Sequence, residues 1–86
     1  MHEYYAVESA FKQIIEKAKA NNAARITKVK LVVGECLGFA DSSIRLYFET
    51  LSEKTIAAGA ELEIQYNKGG SNFYIDNIEI EKAGDG

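Results

Sequence analysis

Met1-His2-Glu3 places an α-amine, two main-chain amide nitrogens and the chain's single imidazole within a few bonds of one another. The amine of Met1 and the backbone nitrogen of His2 close a five-membered chelate on one metal ion, and the His2 imidazole closes a six-membered ring onto the same nitrogen. A fourth position falls to the amide nitrogen or carboxylate of Glu3, to water, or to a partner's residue. A planar nitrogen field of this kind suits nickel(II) and copper(II), whereas zinc prefers tetrahedral sites. These donors bind only after losing protons, so affinity should fall with falling pH. A tag fused ahead of Met1 would remove the amine donor. Without further support, a single histidine beside a terminus is ordinarily a solvated side chain, and Glu3 a solvated charge.

Other candidates explain themselves structurally. Tyr4 and Tyr5 read as wall residues anchoring the terminus against the first helix. Cys36 is a small loop residue without a partner thiol. Glu35 and Asp41 are candidates for contacts around the metal or with a partner, and Asp41 is also accounted for as a helix cap. Gly34 and Gly38 lack the remaining glycine and Lys-Ser/Thr of a phosphate loop. With its one histidine at the terminus, the chain offers no catalytic triad.

The elements that must position Met1-His2-Glu3 follow from periodicity. Val7, Ala10, Phe11, Ile14, Ile15 and Ala18 recur at three- and four-residue steps and predict an amphipathic helix over residues 6–20, stopped at Asn21-Asn22. Residues 25–33 alternate, with Val29, Leu31 and Val33 on one face, as in a half-buried strand ending at Gly34. A loop with two glycines leads to Asp41-Ser42-Ser43, good N-cap chemistry for a helix carrying Ile44, Tyr47, Phe48 and Leu51 to about Glu53. Leu62, Ile64 and Tyr66 mark a second strand. Residues 67–71 reverse the chain, and 72–81 return, so the last two strands are expected to pair as a hairpin. Phe73 and Ile75 share one parity and Ile78 and Ile80 the other, which requires a bulge near Asp76-Asn77. Each helix has one apolar stripe and each strand one apolar face. The expected class is therefore α+β, two helices packed on one face of a small mixed β-sheet.

At 86 residues and 47% hydrophobic composition the chain makes one domain, residues 1–86, with a core. Its net charge of −3, without a basic stripe, argues against nucleic acid as a partner. The single cysteine excludes an intrachain disulfide and every zinc site built on paired cysteines, so no zinc is expected. There is no membrane-length apolar run and no secretion signal, which together place the protein in the cytoplasm.

Met1-His2-Glu3-Tyr4, the helix after it, Gly34-Glu35, Phe48-Glu49 and Gly59-Ala60-Glu61-Leu62-Glu63-Ile64 together resemble the HypA/HybF family of nickel-insertion accessory proteins over residues 1 to about 66. In that family a zinc domain held by two cysteine pairs is inserted between the strands read here as a hairpin. Residues 67–71 stand where it would be, with the composition of a short linker. The resemblance implies a metallochaperone and not an enzyme. It would bind Ni(II) through Met1, His2 and Glu3 and deliver it to the [NiFe]-hydrogenase large-subunit precursor, and in some organisms to urease, with a HypB-like GTPase as partner. The alternative is a metal-free module that docks a maturation partner or forms a homodimer through exposed sheet edges.

Overall fold

The computed structural model describes residues 2–84, and Met1 lies outside them. The order of elements is α1 (Glu3–Ala20), β1 (Ala23–Gly34), a 3₁₀ turn (Glu35–Leu37), α2 (Asp41–Ser52), β2 (Glu61–Asn67) and β3 (Phe73–Lys82). The class is α+β with a mixed three-stranded sheet. α1 begins three residues before the expected start at residue 6, because His2 caps it in extended geometry and its carbonyl accepts the Ala6 N–H at 3.1 Å. It stops as expected, with Asn22 in the left-handed region at φ 59°.

Strand order is β2-β1-β3, with β1 parallel to β2 and antiparallel to β3. The expected hairpin does not form. Residues 61–67 and 73–82 alternate well enough to be strands, but β1 has a strongly apolar face and offers both of them a fully buried neighbour. It takes the centre and separates them. Residues 68–72 therefore cross over the end of β1 instead of closing a tight turn. Gly70 O accepts the Cys36 N–H at 2.9 Å and Asn72 O accepts the Gly34 N–H at 2.7 Å. At Gly34 a Cβ would overlap the Gly70 carbonyl and the Ser71 nitrogen, so only glycine allows the crossing chain to lie this close.

The predicted bulge is present. Lys30 pairs with Asn77 and Leu31 with Ile75, leaving Asp76 as the extra residue. This shift keeps Phe73, Ile75, Ile78 and Ile80 all packed against the core. Both helices cover the same face, where Val7, Ile14, Ile26, Val29, Leu31, Val33 and Ile44 are fully buried. Phe11 and Phe48 meet edge to face at 5.7 Å across the helix pair. On the open face Lys28 reaches Glu63 at 3.2 Å, and Lys30 lies 3.9 Å from both Glu63 and Asp76. No helix among the described residues is long and apolar enough to cross a membrane.

Candidate metal centre

Two of the three expected metal residues, His2 and Glu3, sit at the start of α1. His2 is exposed and makes no side-chain cap bond; its imidazole meets the Tyr5 ring edge to face at 5.7 Å. The Met1 donor falls outside the described residues. Glu3 is the first residue of α1, and its Oε2 accepts the Ala40 N–H at 2.7 Å, across 37 positions of sequence. Ala40 is the N-cap of α2, and its N–H is a donor that the helix start leaves without a backbone partner. Glu3 thus supplies the negative charge that a helix start favours, from the neighbouring helix. Asp41, read from sequence as a cap, is the first residue of α2 instead, and its Oδ1 accepts from Arg45 Nε at 2.7 Å.

Around this junction Tyr66, at the end of β2, donates its hydroxyl to the Phe39 carbonyl at 2.9 Å. Burial raises the Tyr66 pKa above 10.0, the Asp41 and Glu3 carboxylates add to the rise, and Arg45 opposes it. Tyr4 packs edge to face on Tyr47 of α2 at 5.2 Å, which ties the start of α1 to α2. Tyr5 does not act as a wall: it is 64% exposed. Cys36 and Glu35 are exposed in the 3₁₀ turn. The links from Glu3 to Ala40 and from Tyr66 to Phe39 join residues far apart in the chain and leave no spacing signal by which either could be found.

Among the described residues no three His, Cys, Asp or Glu side chains converge. Where a metal at His2 used main-chain nitrogen, the local backbone would matter. The torsion relating the His2 and Glu3 nitrogens is the His2 ψ, which at 130° turns them apart. The imidazole and the His2 nitrogen can chelate without altering that torsion. Recruiting the Glu3 nitrogen requires it to close, which swings the His2 carbonyl away from Ala6.

A family model described as hydrogenase/urease nickel incorporation, metallochaperone, hypA, matches residues 1–72. The chain belongs to the HypA family. A hydrogenase maturation factor HypA from Caldanaerobacter subterraneus subsp. tengcongensis is 37% identical over 62 residues, covering 72% of this chain and 54% of that protein. One from Dehalococcoides mccartyi (strain CBDB1) is 41% identical over 63 residues, 73% of this chain and 53% of that protein. The solution structure of the Ni metallochaperone HypA from Helicobacter pylori matches with a TM-score of 0.68 at 31% identity, over 90% of this chain and 72% of that one. The chain spans about half the length of the HypA relatives it matches in sequence.

Proposed function

We propose that this domain carries Ni(II) at its amino-terminal end for delivery to a [NiFe]-hydrogenase precursor, and in some settings to urease. The observation that carries the reading is the exposed His2 at the start of α1, its imidazole without a side-chain cap bond, in a chain of the HypA family. The donors in this proposal are the Met1 amine, the His2 backbone nitrogen and imidazole, and the Glu3 amide nitrogen. The Glu3 carboxylate already serves Ala40, which favours its amide as the fourth donor.

Charge supports the same set. A dication beside the positive end of α1 is disfavoured, but two deprotonated main-chain amides bring the complex to neutrality. With one cysteine in the sequence, no four-thiolate zinc site can be built from this chain. In this reading residues 67–71 take the place of a zinc-binding insertion. The role is cytoplasmic carriage and hand-over, not catalysis, with a HypB-like GTPase and the hydrogenase large-subunit precursor as partners.

Nickel titration of protein with a free amino terminus tests the proposal. Absorption typical of planar nickel is expected, and it should vanish in His2→Ala and in amino-terminally acetylated protein. Equal binding by all three would falsify it.

A further inference from the structure

The sheet has two outer edges, and the fold treats them differently. Over β2, the Arg45 guanidinium donates from Nη1 to the Leu62 carbonyl at 2.7 Å. β3 runs for ten residues with β1 along one edge and no strand along the other among the described residues. Beside it α1 presents the short side chains of Ala6, Ser9 and Ala10. Between helix and strand lies an open trough of ≈ 910 Å³ lined also by Phe73, Ile75 and Ile78.

The two faces of β3 carry different chemistry. Ile75, Ile78 and Ile80 pack toward the helices, while Glu79 and Glu81 are exposed. Glu81 has Arg25 at 4.0 Å; among the described residues Glu79 has no cation within ion-pair distance. A strand added along β3 would alternate in the same way, one set of side chains lying over the trough beside the isoleucines and the other beside the acids.

We propose that the free edge of β3 and the α1 trough bind an extended segment of a partner protein in which basic and apolar residues alternate. Main-chain hydrogen bonds give affinity, and the two faces give specificity. A second copy of β3 fits poorly, because antiparallel overlap of Phe73–Lys82 with itself sets Glu79 opposite Asp76, a like-charge pair. The proposal does not use the amino-terminal donors, so it stands or falls separately from nickel binding.

The probe is a synthetic peptide of alternating lysine and valine, titrated into isotope-labelled full chain, with a control peptide carrying a central proline. The alternating peptide should shift the amides of residues 73–81 together with Ser9 and Gln13, and the proline peptide should not. Glu79→Lys with Glu81→Lys should weaken binding roughly tenfold, since two cross-strand attractions become repulsions. Ser9→Trp, at an exposed position, should fill the trough and weaken binding without changing the protein's circular dichroism. Equal response to both peptides, shifts confined to β2, or a dimer in sedimentation whose β3 amides are already protected would overturn the proposal.

Discussion

Glu3 has one observed role, in its carboxylate, and one proposed role, in its main-chain nitrogen. The carboxylate accepts the Ala40 N–H at the start of α2. Glu3→Ala should therefore lower stability by about 0.5–2 kcal/mol, the cost of losing a helix cap, read as a shift in denaturant midpoint. Glu3→Gln keeps an acceptor and should lose less. If the Glu3 donor is its amide, the planar-nickel absorption of Glu3→Gln should equal that of the unaltered protein; a carboxylate donor would shift it. Binding through that amide closes the His2 ψ and releases the Ala6 N–H, so hydrogen exchange at Ala6 should speed up on nickel loading. Tyr66 reports on the same junction. Its pKa is raised in the fold, first by burial, so the stability it contributes is whole below 10.0 and is lost as pH climbs through the folded value. In an alkaline absorbance titration Tyr66 should ionise above 10.0, and Glu3→Gln should bring its titration down by removing one of the neighbouring carboxylates.

Single elements were legible wherever one periodicity governed them. The stripe Val7 to Ala18 gave α1, the alternation around Val29 gave β1, and the parity switch between Ile75 and Ile78 gave the bulge at Asp76. Helix starts were less legible. The start of α1 at Glu3 is hidden because its first turn is polar and aromatic, outside the apolar stripe, and α2 takes an acceptor for its N-cap N–H from another helix. The crossing at Gly34 was visible only as a glycine ending a strand. Gly34→Ala should force the segment at Gly70 and Ser71 away from β1 and lower stability by about 1–3 kcal/mol, the usual cost of overpacking, measurable as a drop in thermal midpoint.

For the molecule as a whole, the two helix starts and the end of β2 meet at one corner, and His2, the imidazole of the proposed nickel site, stands at the start of α1. Glu3, Tyr4 and Tyr66 bind it to α2 and the loop before it through Ala40, Tyr47 and Phe39. The residues alone proposed a candidate chemistry, an imidazole beside an amine and main-chain amides, because donor type and bond count are local properties. They also settled the class, because each apolar face needs another to cover it. Strand order was decided in three dimensions. Three amphipathic strands have similar local patterns, and only competition for the buried central position put β1 between β2 and β3. The pairing of Glu3 with Ala40 was decided in the same way, since a contact across 37 residues exists only after the helices have packed.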